Sequence, residues 1–294
     1  MSDGHHGALL DDLVRRRGVV MLVGGSDTGK STLARDLLAS AIAAGKTAAY
    51  IDADIDQTTV GPPTCIGLRF VRDQGDLASL AHADLVRFVG AIAPDGVVLQ
   101  QVVATAALVD AARDSVDLVV IDTTAAISGV AGQTLKYHKI ELCRPDVVVG
   151  LQRGAEIEPL VGMLRRFFSA EVEIASADPA VRPANPEARR AHRAKAFAAA
   201  FAEPLQRWRV RDTVFAPTLP EGLDLARLHG VLVGLQDGSG ACLGLGVLEH
   251  DAGVLRVVTN QGDGMRGLRL GSVRLDLDTF EVHRLRLGEV MFGV

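Results

Sequence analysis

The sequence predicts an α/β fold, with a parallel sheet flanked by helices and a small all-β domain at the C-terminal end. Short β-branched runs alternate with Ala- and Leu-rich stretches over the first two-thirds of the 294 residues, which is typical of β-α-β units. A glycine-rich segment lies between the first such run and the first helical stretch. From about residue 213, short Val/Leu runs are broken by Gly- and Asp-containing turns, as in a small β-barrel or sandwich.

The elements follow from these patterns in chain order. Short runs that contain β-branched or other apolar residues predict strands at residues 19–23, 47–52, 118–122, 147–151 and 172–175. The stretches between or after them predict helices at residues 31–44, 77–92, 106–114, 133–142 and 158–168. We therefore expect a larger domain over residues 1–212 and a β-rich domain over residues 213–294.

Composition narrows the class of protein. Hydrophobic residues make up 48% and charged residues 23% of the chain, which is typical of globular proteins. No apolar run approaches the roughly 20 residues of a membrane-spanning helix, and the first residues lack a secretory pattern, so we expect no membrane association and a cytoplasmic location. The three cysteines lie far apart, which argues against a zinc knuckle or a disulfide framework.

The glycine-rich segment fits the P-loop pattern G-x-x-x-x-G-K-[ST], between a strand and a helix. In a P-loop NTPase the backbone N–H groups and the helix N-terminus face the phosphates, the Lys adds a charge, and the Ser ligates Mg²⁺. The residues predicted to bind ATP are Gly24, Gly25, Ser26, Asp27, Thr28, Gly29, Lys30, Ser31 and Thr32.

Acidic residues follow two predicted strands. Asp52, Asp54, Asp56 and Gln57 come after the second strand, and residues past the carboxyl ends of strands line the ligand crevice of an α/β sheet. A carboxylate there can accept a hydroxyl proton or hold Mg²⁺-bound water; the alternative is a solvated acidic loop. Asp122 ends another strand and fits the acid that helps to hold Mg²⁺, or else a helix or turn cap. Ser31, Asp54 and Asp122 are therefore the candidate metal-binding residues.

These motifs together are more specific than each alone. The P-loop is followed by Asp-x-Asp-x-x-Gln at residues 52–57, Gly-Pro-Pro-Thr at 61–64, and Asp-Thr-Thr at 122–124. The combination resembles the polynucleotide 5′-hydroxyl kinase family, which includes the kinase subunit of the mRNA 3′-end cleavage factor and kinases of ribosomal-RNA processing. The chain looks like a prokaryotic-type member.

The resemblance implies roles for individual residues. It makes Asp54 the residue that activates the 5′-hydroxyl, and it makes 61–64 a clasp for the terminal nucleotide. The candidate substrate-binding residues are Gln57, Pro62, Pro63, Thr64, Thr124 and Lys136. For Lys136 the alternative is an ordinary surface lysine. Asp56 stands where the family usually has Gly, and Asp tolerates the positive φ that such a Gly can require.

A further helix is predicted over residues 185–203, beginning at Asn185-Pro186-Glu187 and stopped by Pro204. Its Arg189 and Arg193 are four residues apart and share a face. They resemble the family's R-x-x-x-R lid, whose guanidinium groups close over the transferring phosphate. The alternative is a solvated face opposite a Phe197/Phe201 core stripe. Without substrate, mutual repulsion of the arginines predicts a mobile lid.

The leading hypothesis is therefore an ATP- and Mg²⁺-dependent kinase that phosphorylates the 5′-hydroxyl end of RNA or DNA, with Lys30, Asp54, Arg189 and Arg193 as catalytic residues. A small-metabolite kinase and an ATP-bound scaffold in RNA processing are the alternatives. A net charge of −5 argues against a general polyanion binder, so nucleic-acid contact must be local. Residues 182–211 supply such a region, with eight Lys/Arg against two Asp/Glu.

Overall fold

The computed structural model describes residues 6–179, 181 and 183–293, which form two seven-stranded sheets. Arg182, the first residue of the basic region, lies outside the described residues. The elements of the first part are α1 (Gly7–Arg15), β1 (Gly18–Gly24), α2 (Lys30–Ala43), β2 (Ala48–Ala53), β3 (Cys65–Val71), α3 (Gln74–Ala78), β4 (Leu85–Phe88), α4 (Val98–Arg113), β5 (Leu118–Thr123), α5 (Gly129–Cys143), β6 (Val147–Gln152), α6 (Glu158–Phe167), β7 (Glu171–Ser176) and α7 (Pro186–Ala200).

The first sheet has the strand order β4-β3-β2-β5-β1-β6-β7. The five predicted strands are its parallel part, and β1 lies between β5 and β6. Asp122 is the register partner of both Leu22 and Asp52, so three neighbouring strands end at the same level. Apolar side chains on both sheet faces are buried under helices, which explains the near-continuous apolar runs of these strands.

The prediction of a helix at residues 77–92 is wrong. In this region the structure has the end of the short helix α3 and the strand β4, which pairs antiparallel with β3 at the sheet edge. The connection between β2 and β3 contains no helix, whereas a parallel crossover usually needs one. In addition, α4 begins at Val98 rather than 106, α5 begins at Gly129 rather than 133, and α7 ends at Ala200 rather than 203.

The second sheet is the expected C-terminal β structure. Its elements are β8 (Gln206–Arg209), β9 (Phe215–Ala216), β10 (Val231–Gln236), β11 (Cys242–Asp251), β12 (Val254–Thr259), β13 (Gly267–Leu275) and β14 (Val282–Arg284), with the helix α8 (Leu287–Phe292) after them. The strand order is β14-β13-β10-β11-β12-β8, and β9 pairs with β13. Because β8 pairs with β12, this sheet begins before residue 213, where the sequence analysis placed the boundary.

The two sheets share a packed interface. Phe88 of β4 lies against Gly234 of β10, where an added Cβ would come within 2.3 Å of the ring. Phe197 and Phe201, at the C-terminal end of α7, are buried in the same apolar cluster. This cluster fixes the second sheet and the end of α7 beside the edge of the first sheet. No helix within the described ranges is long and apolar enough to span a membrane.

Candidate functional site

The P-loop connects β1 to α2 through a tight backbone turn. Gly29 has φ +91° at the N-cap of α2, and Asp27 has φ +55°. Gly24 is buried where an added Cβ would lie 2.5 Å from the Leu151 carbonyl oxygen, so a larger residue does not fit without a shift. The turn leaves the N-terminus of α2 facing a cavity of 450 Å³, whose wall includes every residue from Ser26 to Thr32.

Lys30 lies at the base of this cavity. The side chain is largely buried, and Nζ donates a hydrogen bond to the Gly25 carbonyl oxygen at 2.7 Å. Burial lowers the pKa of Lys30, and the nearby carboxylates of Asp122 and Asp54 oppose that shift. The ammonium group is therefore held among acidic groups at the loop that would surround a phosphate chain.

Ser31 and Asp122 form the second part of the site. The Ser31 hydroxyl donates to Asp122 Oδ2 at 2.5 Å, and the buried Tyr50 hydroxyl donates to the same oxygen at 3.2 Å. Asp122 Oδ1 is also buried and has no hydrogen-bond partner in the described structure. Burial raises the pKa of Asp122, and Lys30 and Ser31 oppose the increase.

This donor set fits a magnesium ion that is shared with a nucleotide. Mg²⁺ takes hard oxygen ligands and usually keeps waters and substrate phosphates among them, and Ser31 Oγ and Asp122 supply such oxygens. Across the described ranges there is no group of three or more His, Cys, Asp or Glu side chains that could hold a metal without other ligands. Waters and phosphate oxygens would complete the coordination.

The two aspartates after β2 have different surroundings. Asp52 is fully buried, and its carboxylate accepts hydrogen bonds from the backbone N–H groups of Asp54, Thr59 and Val60. Burial, with repulsion from Asp122 and Asp54, raises the pKa of Asp52 to about 8. Asp54 lines the cavity, and its Oδ1 accepts from the N–H groups of Asp56 and Gln57. Asp52 thus shapes the loop, and Asp54 faces the space for substrate.

Two lysines of α5 lie buried under the site. Lys136 and Lys139 of α5 are both completely buried. Lys136 Nζ donates to Thr123 Oγ1 at 2.9 Å and to the Thr124 carbonyl at 2.6 Å, so direct contact of Lys136 with a nucleic-acid phosphate does not fit. Their spacing of three residues places both lysines on one helix face, but it does not indicate that this face points inward.

The structure places the predicted clasp apart from the cavity at the P-loop. Pro62, Pro63 and Thr64 lie outside the wall of the cavity, and Pro63 and Thr64 are buried. Thr64 has φ +65°, and its carbonyl accepts hydrogen bonds from the N–H groups of Val89 and Gly90. This segment therefore supports the chain after β4. Gln57 and Thr124, by contrast, line the cavity.

The arginines of α7 contact the acidic loops directly. Asn185 caps the helix by accepting from the Ala188 N–H at 2.6 Å. Arg189 forms an ion pair with Asp27 of the P-loop, and Arg193 forms one with Asp56. The repulsion expected between the arginines is relieved, because each is paired with a carboxylate. Arg153, after β6, also contacts the P-loop, because it donates to the Asp27 carbonyl at 2.6 Å and to that of Val181 at 2.9 Å.

A larger cavity, of 830 Å³, lies beside β8 in the second sheet, but its wall contains none of the predicted site residues. The smaller cavity has the P-loop, Asp54 and Arg189 in its wall at the carboxyl ends of parallel strands. A P-loop between a strand and a helix, with a Ser–Asp pair beside it, defines a P-loop nucleotide-binding protein of the α/β class.

The profile of the family described as "mRNA cleavage and polyadenylation factor CLP1 P-loop" matches residues 24–203. The chain belongs to this family. A polyribonucleotide 5′-hydroxyl-kinase of Thermococcus kodakarensis is 28% identical, and the match covers 92% of each chain. A polyribonucleotide 5′-hydroxyl-kinase of Pyrococcus horikoshii is 36% identical over 50% of this chain and 41% of its own length.

Solved structures agree on the fold. A structure described as a complex of wild-type Clp1p with a Pcf11p fragment superposes with a TM-score of 0.68 at 15% identity, and covers 91% of this chain and 77% of that chain. The superposed region extends into both sheets, because it includes nine-tenths of the chain. The α/β fold with a C-terminal β domain, predicted from the sequence, is confirmed.

Proposed function

We propose that this protein transfers the γ-phosphate of ATP to the 5′-hydroxyl end of a polynucleotide, with RNA as the favoured acceptor. The observation that carries the proposal is the convergence of Lys30, Asp54 and Arg189 on one cavity beside the Ser31–Asp122 pair. The names of the relatives, polyribonucleotide 5′-hydroxyl-kinases, support RNA as the acceptor.

The reaction needs few groups, because phosphoryl transfer depends almost wholly on positioning and electrostatics. The P-loop N–H groups and Lys30 would bind the β- and γ-phosphates. Mg²⁺, when bound through Ser31 and Asp122, would neutralise charge between those phosphates. The bond between the acceptor 5′-oxygen and the γ-phosphorus forms as the bond to the β,γ-bridging oxygen breaks, ADP leaves, and Asp54 accepts the hydroxyl proton.

Arg189 and Arg193 would act on the transferring group. In the loose transition state, negative charge spreads over three equatorial phosphoryl oxygens, and a guanidinium can contact two oxygens at once. Both arginines are paired with carboxylates at the edge of the cavity. An incoming phosphate would compete with Asp27 and Asp56 for them. Phe197 and Phe201 would keep the C-terminal end of α7 in the apolar cluster during this exchange.

The decisive experiment is incubation with γ-labelled ATP and matched RNA and DNA oligonucleotides that carry a 5′-hydroxyl, with a 5′-phosphorylated oligonucleotide as the blocked control. We expect label on the 5′-hydroxyl acceptors and none on the blocked control. Equal turnover on a free nucleoside and on an oligonucleotide would indicate a small-metabolite kinase. ATP binding without transfer to any acceptor would contradict the proposal and favour a scaffold.

Lys30→Ala is the matched inactive variant. Loss of the ammonium removes the charge between the β- and γ-phosphates, and we expect less than about a tenth of wild-type transfer. The melting temperature of the variant establishes that it is folded. A folded variant that retains more activity would remove Lys30 from the mechanism.

A further inference from the structure

The cavity of 450 Å³ at the P-loop is the nucleotide cavity. A further cavity, of 590 Å³ and called the second cavity, adjoins it on the side of the second sheet. Ile92, Ala93 and Arg284 belong to the walls of both cavities, so the two lie side by side with these residues between them. The second cavity lies between the segment after β4 and the end of β14. Its volume falls within the about 300–1,000 Å³ typical of small-ligand sites.

The two sides of this second cavity are held together by backbone contacts. Gly90 has φ +83°, and a Cβ added there would lie 2.7 Å from the Gly271 Cα, so two chains meet without side chains between them. The Ser272 N–H donates to the Gly90 carbonyl at 2.6 Å, and the Leu285 N–H donates to the Ser272 carbonyl at 3.0 Å. Arg284, adjacent to Leu285, is therefore held in a defined place relative to the P-loop domain.

Arg284 is the cationic side chain common to both walls. It is exposed, and no carboxylate within the described ranges forms an ion pair with it. The other charged residues around the second cavity are Arg286, Glu289 and Asp95, and Arg286 is paired with Glu289 at 3.0 Å. Arg284 is thus an unpaired guanidinium at the junction between the site of phosphate transfer and an adjoining groove.

We propose that the second cavity binds the nucleotides that follow the 5′ end of the acceptor, and that Arg284 contacts the first phosphodiester. This inference rests on the proposed function, because a polymer whose 5′-hydroxyl lies near Asp54 must leave the nucleotide cavity through an adjoining opening. A phosphodiester presents two anionic oxygens, which the planar fork of an arginine can contact together. The C-terminal sheet would then extend the acceptor site.

The test compares Arg284→Ala with Arg266→Ala, which removes the same charge from an exposed side chain outside both cavities. KM and kcat are measured with a 5′-hydroxyl octanucleotide and with a free nucleoside. We expect Arg284→Ala to raise KM for the octanucleotide about tenfold, the effect of losing one charge-assisted hydrogen bond. The KM for the free nucleoside should change little, because a nucleoside carries no phosphodiester, and Arg284→Lys should give a KM for the octanucleotide between those of wild type and Arg284→Ala.

Binding of a fluorescent RNA octanucleotide without ATP separates this inference from the proposed function. If the wild-type protein transfers no phosphate, the proposed function fails, and the anisotropy measurement still decides whether Arg284 binds the strand. Loss of one phosphate contact should make the slope of log K against log salt less steep by about 0.7. An affinity equal to wild type in Arg284→Ala, or an equal loss in Arg266→Ala, would overturn the inference.

Discussion

Asp54 and Asp52 are two residues apart and have different surroundings, which leads to different effects of the same substitution. Asp54→Asn keeps the side-chain oxygen that the N–H groups of Asp56 and Gln57 contact, but the amide cannot accept the acceptor's proton. We expect kcat to fall by ~10²–10⁴, the usual loss for a general base, with the KM for ATP unchanged.

Asp52→Asn is the matched control for Asp54→Asn. Asp52 is buried and bonded to the loop backbone, so its substitution should act mainly on stability and leave most of kcat. Steady-state kinetics with an oligonucleotide acceptor and thermal melting separate the two effects. The roles within the pair are reversed if Asp52→Asn abolishes transfer and Asp54→Asn has little effect on kcat.

Lys139 predicts a pH dependence of stability. Burial lowers the pKa of Lys139 from the model-compound value of 10.5 to about 8 in the folded protein. Between these two pH values the unfolded chain binds more protons, so the free energy of unfolding rises with pH from about 8 to 10.5, and the favourable contribution is lost as pH falls through about 8. We measure the free energy of unfolding of wild type and of Lys139→Met in urea at pH 7 and 9.5. The value for wild type minus the value for Lys139→Met should be larger at pH 9.5 than at pH 7. An equal difference at both pH values would contradict the shift.

The residues of the site differ in how far the sequence could predict them. The P-loop and Asp122 were predictable, because local motifs and strand ends place them. The burial of Lys136, Lys139 and Thr64 was not, because it depends on how α5 and the chain after β4 pack, which involves contacts distant in sequence. The pairing of Arg193 with Asp56 joins residues from different elements, so no local pattern signals it.

At the scale of elements, α7 carries a prediction about the transition state. Removing either Arg189 or Arg193 should lower kcat by ~10²-fold or more and raise KM less, because the guanidinium groups act on charge that develops during transfer. Arg→Lys should restore only part of kcat, since Lys keeps the charge and loses the planar fork.

Arg190→Ala is the control for these lid variants, because Arg190 is the exposed neighbour on the same helix. With an oligonucleotide acceptor, the kcat and KM of Arg190→Ala should be close to those of wild type. Unchanged kcat in both Arg189→Ala and Arg193→Ala would mean that the helix only attracts the acceptor and does not contribute to transfer.

The sequence predicted the central elements of the fold better than those at its edge. The four inner parallel strands β1, β2, β5 and β6 are almost wholly buried, and this apolar pattern is local and strong. The segment at residues 77–92 was wrongly predicted as helical, because the edge strand β4 is only half-buried and its pairing partner lies in β3. The Asn185 cap predicted the start of α7, whereas its end depends on Phe197 and Phe201 packing against the second sheet.

At the scale of the whole molecule, charge is distributed unevenly. The chain carries a net charge of −5, yet Arg189 and Arg193 lie at the nucleotide cavity, and the unpaired Arg284 lies where that cavity meets the adjoining groove. An acidic protein with a local basic region should bind a polyanion only where those cations meet its phosphates. Affinity for single strands should therefore depend on salt despite the overall negative charge.

We expect about three phosphates to be neutralised on a single strand, which gives a slope of log K against log salt near −2. The measurement is fluorescence anisotropy of an RNA octanucleotide over a series of salt concentrations, with the KM for a free nucleoside, which has no phosphate, as the control. The nucleoside KM should change little with salt, because no counterions are released. A flat salt dependence for the octanucleotide, together with equal turnover on the nucleoside, would contradict recognition of a polymer and favour a small-metabolite acceptor.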